Sequence, residues 1–203
     1  MKKLLLTLSI FYFSISYSQN SDDFVTNGMT KQFQKNYNGA LKDFDKAIEL
    51  NPNNSEAYFC KGVLYQRMNS PTLAQFSMMN FNKAIQLNPK HVDAYLERGK
   101  EKYKLEDYRG AISDYNKAIE IDKDNYDCHA NRGIAKIKLN DNDGALADFN
   151  KSIEINPEDY FAYAIRGLFK FNLGQKEAAC LDFSKAGELG DKISYDNIKH
   201  YCN

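Results

Sequence analysis

The chain has 203 residues, of which 43% are hydrophobic and 13% aromatic, a composition that argues against a disordered polar chain. Its 27 basic and 27 acidic residues balance, so the net charge gives no electrostatic argument for binding nucleic acid or an anionic membrane. We therefore expect neither as a partner.

The N-terminus has the order of a secretory signal peptide. Lys2 and Lys3 precede a mostly apolar run, Leu4–Ile15, which is followed by small and polar residues. We predict cleavage after Ser18, which makes residues 1–18 the signal peptide. A retained membrane anchor is the less favoured alternative, because the run is short and contains polar residues. The mature protein is expected to be exported, periplasmic or secreted, with no stable membrane insertion.

From residue 21 onward the sequence repeats itself. The segment 92–125 recurs from Tyr126 with a spacing of 34 residues, which carries Gly99 onto Gly133. A period of this length predicts an array of stacked units instead of separate domains. The five copies span residues 21–54, 55–91, 92–125, 126–159 and 160–193.

Each copy has the apolar periodicity of two helices. In the third copy, Tyr95 and Gly99 share one face of a first helix. Ala111, Tyr115 and Ala118 share one face of a second helix. Glycine and alanine at these fixed places allow the two helix backbones to approach closely, and the aromatic rings fill the space beside them.

The ends of the second helices are also predicted from the sequence. Asn-Pro pairs occur at 51–52, 88–89 and 156–157. Proline disfavours a helical conformation in the preceding residue, so each helix should stop there. The third copy has Asp122 and the fifth has Gly190 at this place, and we expect softer or differently shaped ends. The second copy is three residues longer, and we assign the surplus to a longer loop around 68–71.

This pattern resembles the tetratricopeptide repeat (TPR) family, as an exported bacterial-type member, over roughly Ser21 to Ile193. The family's aromatic residue near the start of each first helix is present as Phe24, Tyr58, Tyr95 and Tyr163, with His129 in the fourth copy. The resemblance implies an all-α fold, a right-handed α-solenoid of helix-turn-helix repeats with a concave groove. Residues 194–203 are interpreted as a C-terminal capping helix that covers the last repeat.

The cysteines suggest one disulfide. The chain has four, and an even number in an exported protein favours pairing. Cys180 and Cys202 each lie eleven residues from the turn near Asp191, and residues equidistant from such a turn lie side by side. We predict that they form a bridge that holds the cap, with two buried thiols as the alternative. Cys60 and Cys128 are two copies apart and are expected to be packing residues.

Charged residues recur in step with the repeat. Arginines precede the repeat glycine, lysines follow it, and aspartates stand on the second helix: Arg98, Arg132, Arg166; Lys31, Lys102, Lys136, Lys170; Asp43, Asp114, Asp148, Asp182. Because the acidic residues recur with the basic ones, we predict a structural ladder of ion pairs such as Arg98 with Asp114. A basic row that binds a ligand is the alternative. The second copy departs from the pattern with Lys61 and Asn80.

The other stripe of the first helices is the candidate binding surface, which lines the groove in the TPR family. Its residues here are Phe59, Val63, Leu96, Lys100, Tyr103, Ile134, Ile137, Phe161, Leu168 and Phe171. An exposed apolar strip usually marks a partner site. The alternative is that these side chains pack on one another or on the cap. The carboxylate-gripping mode of one TPR subclass is not expected, because Val25 and Met29 are apolar.

We therefore expect a protein–protein interaction module that binds a peptide or helix, possible roles being an adaptor or scaffold in the cell envelope. The alternative is a structural or self-associating module whose groove is filled by another copy, so a homo-oligomer is possible. We expect no enzyme, cofactor or metal site. The histidines His91, His129 and His200 are isolated, and the sequence has no phosphate-binding glycine loop or serine elbow.

Overall fold

The computed structural model describes residues 20–68 and 70–202, so the predicted signal peptide at 1–18 lies outside the described residues. These residues form eleven helices and no strand. The helices are α1 (Ser21–Phe33), α2 (Tyr37–Leu50), α3 (Ser55–Arg67), α4 (Pro71–Leu87), α5 (Val92–Lys104), α6 (Tyr108–Ile121), α7 (Tyr126–Lys138), α8 (Asn142–Ile155), α9 (Tyr160–Asn172), α10 (Lys176–Glu188) and α11 (Lys192–Tyr201). The predicted all-α fold is confirmed.

The chain divides into two compact units, Met1–Leu87 and Asn88–Asn203. In the first unit α1 packs on α2 and α3 packs on α4. In the second, α5 packs on α6, α7 on α8 and α9 on α10, and α11 packs on α10. Each predicted copy therefore contains one pair of helices, with the second helix of one copy also packing on the first helix of the next within a unit.

Close contact within a pair depends on the repeat glycine of the first helix. A Cβ built on Gly99 would stand 2.5 Å from Cε1 of Tyr115, and one on Gly133 would stand 2.8 Å from Cε1 of Phe149. Since Tyr115 and Phe149 are buried, neither ring has room to move aside. Glycine here allows an aromatic ring of the second helix to lie directly on the backbone of the first.

The second helices end at the predicted places. Proline is not needed to end them, because the side chain of the preceding Asn or Asp forms the turn. The side chain of Asn51 accepts a hydrogen bond from the N–H of Asn53 at 3.0 Å, and that of Asp122 accepts one from Asp124 at 3.1 Å. The backbone at the end of α6 (φ −128°, ψ 100°) resembles that at the end of α2 (φ −139°, ψ 93°). The expectation of a differently shaped end in the third copy is therefore wrong, because the Asn or Asp side chain forms the turn without proline.

In the fifth copy the end does differ in shape. Helix α10 stops at Glu188, and Gly190 follows with φ +103°. The N–H of Asp191 then donates to the carbonyl of Ala186 at 2.9 Å. A glycine in the left-handed region is a common way to end a helix, and it turns the chain sharply into α11.

The surplus residues of the second copy lie in a helix and not in a loop. Helix α3 ends at Arg67 and α4 begins at Pro71, the same separation in sequence as between the end of α5 at Lys104 and the start of α6 at Tyr108. Helix α4 has 17 residues, whereas α6 has 14. The predicted longer loop is therefore wrong. Proline is favourable in the first turn of a helix, where its missing N–H has no partner to lose, so Pro71 lets α4 begin early.

The last helix begins at Lys192, two residues before the predicted start of the cap at residue 194. The side chain of Asp191 accepts hydrogen bonds from the N–H groups of Ile193 and Ser194, which fixes this start. Cys180 of α10 and Cys202, just beyond α11, are joined by the disulfide that the sequence predicts, with 5.8 Å between their Cα atoms. Cys60 and Cys128 are free and buried.

Candidate functional site

The recurring charged residues of the second unit form a buried polar layer between paired helices. The carboxylate of Asp114 accepts two hydrogen bonds from Arg98, at 2.8 and 2.6 Å, and a third contact comes from Lys102 at 2.8 Å. The side chain of Asp114 is only 4% exposed. The same arrangement joins Arg132 and Lys136 to Asp148, and Arg166 and Lys170 to Asp182. This confirms the predicted ladder, and it leaves no carboxylate of the layer available to a ligand.

The electrostatics of Asp148 show how tightly this layer is held. Burial by itself would raise the pKa of the Asp148 carboxyl. His129, whose Nδ1 lies 3.7 Å from the carboxylate, and the direct contacts from Arg132 and Lys136 outweigh burial and hold the pKa below its ordinary value. The carboxylate is therefore charged under all ordinary conditions. We assign the layer a structural role.

The layer also connects successive repeats. Nη1 of Arg132 donates to the side-chain oxygen of Asn116 in the preceding copy at 2.7 Å. Nη1 of Arg166 donates in the same way to Asn150 at 2.6 Å. Neither asparagine was predicted from the sequence to take part in the layer. Their signal was present, because Asn116 and Asn150 stand at equal places two residues after the layer's aspartate in consecutive copies.

The predicted groove residues of α5, α7 and α9 come together in the second unit. Lys100, Tyr103 and Ile134 line a depression of about 310 Å³. Tyr103, Ile134, Ile137 and Leu168 line a neighbouring depression of about 180 Å³. Since Tyr103 and Ile134 belong to both, the two depressions form one strip, which we call the second-unit groove.

The rim of the second-unit groove is polar. Lys100 pairs with Glu97 at 2.8 Å, and Lys104 pairs with Glu101 at 2.7 Å, each on its own helix. Asn131 donates to the backbone carbonyl of Asp127 at 2.8 Å. Burial raises the pKa of Asp127 above its ordinary value, while the nearby Lys100 acts in the opposite direction. The groove thus has an apolar floor and a polar rim, in which Lys100 and Lys104 are paired with glutamates and Lys138 is a further basic residue.

Three predicted groove residues do not lie on this surface. Leu96 is buried in the hydrophobic core with Ala111 and Tyr115, because its place on α5 faces the neighbouring helices. Phe161 is exposed but lines neither depression. Phe171 packs on Tyr201 of α11, with 4.4 Å between the ring centroids, so the cap covers it.

The first unit contains a separate depression on α1 and α3, of about 330 Å³, which we call the first-unit groove. The predicted residues Phe59 and Val63 line it together with Met29 and Phe33. Phe33 is 87% exposed and was not identified from the sequence, because it lies at the last position of α1, outside the stripe used for the prediction. This surface is apolar and accessible.

Neither free thiol is suited to nucleophilic chemistry. Burial, together with the Glu56 carboxylate that accepts a hydrogen bond from the Cys60 thiol at 3.4 Å, raises the pKa of Cys60 far above its ordinary value. Burial also raises the pKa of Cys128 to about 12. Both thiols therefore stay protonated, whereas the thiolate is the reactive form.

Within residues 20–68 and 70–202, no three side chains among histidine, cysteine, aspartate and glutamate are grouped so that they could hold a metal ion. Within the same residues, none of the helices combines the length and apolar character needed to cross a membrane.

The repeats match family models of known proteins. One model, described as TPR repeat, matches residues 34–69 and 99–139, and a second, described as tetratricopeptide repeat, matches residues 126–159. A comparison with curated protein sequences gives no match.

Several solved structures have a similar fold. MamA is 24% identical with a TM-score of 0.70, and the match covers 83% of this chain and 96% of MamA. PilW, a widely conserved type IV pilus biogenesis factor, is 20% identical with a TM-score of 0.76, covering 83% and 77%. YrrB, a TPR protein with an unusual peptide-binding site, is 20% identical with a TM-score of 0.68, covering 94% and 97%. At these identities the likeness shows the fold alone.

The helix pairs, the glycine-to-aromatic contacts and the family models agree on the same unit. Residues 34–69 and 99–159 of this chain are therefore tetratricopeptide repeats.

Proposed function

We propose that the chain is a protein-binding module and that its second-unit groove holds a peptide or a helix of a partner protein. The observation that carries this proposal is the continuity of the groove floor. Tyr103 from α5, Ile134 from α7 and Leu168 from α9 contribute to adjoining depressions. A partner that crosses the first helices of three successive repeats buries more apolar surface than any single pocket could offer.

The chemistry of the groove defines the expected ligand. Its floor is apolar, and two lysines of its rim, Lys100 and Lys104, are paired with glutamates on their own helices. A ligand that relied on charge alone would have to compete with those pairs. We therefore expect apolar anchors at a regular spacing, either on one face of an amphipathic helix or on alternate residues of an extended segment.

The repeats support this proposal by analogy. In the second unit, part of the first-helix stripe, including Ile134 and Leu168, lines the groove while other residues of the same helices are used for packing. Concave binding surfaces of repeat proteins usually arise in this way. YrrB, which shares the fold, is a TPR protein with a peptide-binding site. Function belongs to a site and not to a fold, so the groove of this chain must be tested directly.

The test is a pull-down from the native host with matched variants. Ile137→Glu combined with Leu168→Glu places two charges on the groove floor. Leu181→Glu is the control, since Leu181 is 74% exposed on α10, outside the groove. We expect the double variant to lose the partners that wild type and Leu181→Glu retain. Equal recovery by all three folded proteins would show that the groove is not the binding site.

A second copy of the chain is the competing occupant. An exposed apolar surface also occurs in the first unit, where Met29 and Phe33 border the first-unit groove. Light scattering over a range of protein concentrations separates the two cases. We expect a monomer at every concentration, whereas a dimer that is lost in the Ile137→Glu, Leu168→Glu variant would assign the groove to self-association.

We propose further that the protein is exported and acts as an adaptor or scaffold in the cell envelope. Support comes from the signal-peptide pattern at residues 1–18 and from the Cys180–Cys202 bridge, because disulfides persist in oxidising compartments. Sequencing the N-terminus of protein purified from the envelope fraction tests this. We expect it to begin at Gln19; an intact N-terminus on cytoplasmic protein would contradict export.

A further inference from the structure

The second repeat carries a recess on the side of α3 that faces away from the first-unit groove. Its volume is about 780 Å³, and its lining includes Lys61 and Tyr65 from α3 and Phe76 and Met79 from α4. At 100° per residue, Lys61 and Tyr65 project about half a turn away from Phe59 and Val63. The recess is therefore a different surface from either groove.

The recess exists because the second repeat lacks the polar layer. Lys61, Tyr65 and Asn80 stand where the third repeat has Arg98, Lys102 and Asp114. Lys61 reaches away from the pair and binds Asp45 of the first repeat. Asn80 turns back and donates to the carbonyl of Phe76 at 2.7 Å. As a result no carboxylate occupies the space that Asp114 fills in the third repeat.

The wall of the recess is apolar and aromatic. The rings of Tyr65 and Phe76 pack together with 5.5 Å between their centroids. Phe76 is 48% exposed and Met79 is 57% exposed. Large apolar side chains with this exposure on neighbouring turns of one helix are typical of an interaction surface.

The polar part of the lining has a uniform character. It consists of amide and phenol side chains and two lysines, and it contains no aspartate or glutamate. Lys61 is already paired with Asp45, so Lys83 is the lysine of interest for a ligand. Within residues 20–68 and 70–202, the ammonium group of Lys83 donates to a neutral partner, the amide oxygen of Gln86, at 3.1 Å. In the third repeat the lysine at the same place, Lys117, pairs with the carboxylate of Glu120. The recess is therefore complementary to a ligand that brings negative charge.

We propose that this recess is a second protein-binding surface, which takes an acidic peptide segment with an aromatic anchor. The anchor packs against Phe76 and Met79, and a flanking carboxylate accepts hydrogen bonds from Lys83. Arrangements of this kind combine an apolar contact that gives affinity with a charge contact that selects the partner. This site is independent of the proposed function of the second-unit groove.

Fluorescence anisotropy with the full chain tests the proposal. The probe is a labelled peptide in which phenylalanines are embedded among glutamates, and two further peptides replace the glutamates by lysines or the phenylalanines by alanines. We expect the first peptide to bind about tenfold or more tightly than either of the others. Equal binding of the lysine peptide, or no binding of the glutamate peptide, would overturn the proposal.

Variants then locate the binding. Lys83→Glu and Met79→Glu should each weaken binding of the glutamate peptide about tenfold or more. Lys117→Glu, at the same place in the third repeat, and Ile137→Glu, in the second-unit groove, should leave it unchanged. Loss of binding in Ile137→Glu but not in Lys83→Glu would show that the peptide binds in the second-unit groove, and this result would overturn the proposal. A dimer that Met79→Glu abolishes would also overturn it, since the occupant would be a second copy.

Discussion

The ring of Tyr201, in the last turn of the chain's last helix, packs on the ring of Phe171 with 4.4 Å between the centroids. The same tyrosine lies 6.2 Å from the ring of Phe183. Helix α11 has only 10 residues and would not be stable in isolation. Its position on the last repeat therefore depends on these ring contacts and on the Cys180–Cys202 bridge.

Removing the bridge should destabilise the second unit. The cysteines are separated by 22 residues in the sequence, and a disulfide that closes a loop of this size contributes about 3 kcal/mol in the chain-entropy model. We predict that Cys202→Ser lowers the unfolding free energy by roughly that amount in urea denaturation. Dithiothreitol should lower the stability of wild type and leave the variant unchanged; a wild type that is indifferent to the reductant would contradict this.

Asp148→Asn tests the polar layer. The substitution removes the carboxylate that Arg132 and Lys136 share, and breaking a buried pair leaves uncompensated charge, at a cost of about 3 kcal/mol or more. Asp143→Asn, an exposed carboxylate on the same helix, is the control and should change stability by less than about 0.5 kcal/mol. Similar effects of the two substitutions in denaturation experiments would argue against the layer's structural role.

The same carboxylate predicts a dependence of stability on pH. Its pKa is lower in the folded protein than in the unfolded chain, where aspartate titrates near ~3.9. The stabilisation is therefore complete above that value and is lost as the pH falls towards the folded pKa. We predict that the unfolding free energy of wild type falls more steeply than that of Asp148→Asn between about pH 4 and pH 2. Parallel curves would contradict the assignment.

Gly133→Ala tests the close approach of α7 and α8. The added Cβ would stand 2.8 Å from a ring carbon of Phe149, and overpacking of this kind costs about 1–3 kcal/mol. Phe149→Leu removes the obstructing ring and carries its own cost. In a double-mutant cycle, the two substitutions together should cost less than the sum of their separate effects. Additive effects would mean that contact with the Phe149 ring is not the reason why residue 133 must be glycine.

Ser152→Ala should leave stability unchanged or raise it by about 1 kcal/mol. Ser152 is fully buried, and its hydroxyl has no hydrogen-bond partner among the described residues. Ser77 is the matched control, because its buried hydroxyl donates to the carbonyl of Gly62 at 3.1 Å. We predict that Ser77→Ala is the more destabilising of the two in thermal denaturation; the reverse order would show that Ser152 has a partner.

Much of the fold could be predicted from the sequence because the repeat determines its own packing. Gly99 and Tyr115 recur as a pair in each copy, and so do Arg98 and Asp114 in the last three, so each contact is specified several times over. The exceptions arose where a local rule was used alone. The Asn-Pro pairs predict that proline ends the second helices, whereas the turn formed by the Asp122 side chain ends one without proline.

The candidate site was less predictable from the sequence. The helical stripe predicts which way a side chain points but not which part of the protein it meets. For this reason the sequence did not predict that Leu96 is buried or that Tyr201 covers Phe171. The sequence shows that the second copy departs from the charged pattern at Lys61 and Asn80. It does not show that this departure leaves a recess beside Tyr65 and Phe76, because the repeat pattern reveals a missing interaction but not the space that results.

Site-specific photo-crosslinking can show whether a partner protein lies in the second-unit groove. A benzophenone amino acid is introduced at Ile137 in one variant and at Leu181 in another, and the native host is irradiated. We predict a crosslink to a different protein from position 137 and none to that protein from position 181. Equal crosslinking from both positions, or crosslinking from position 137 only to a second copy of the chain, would contradict the account.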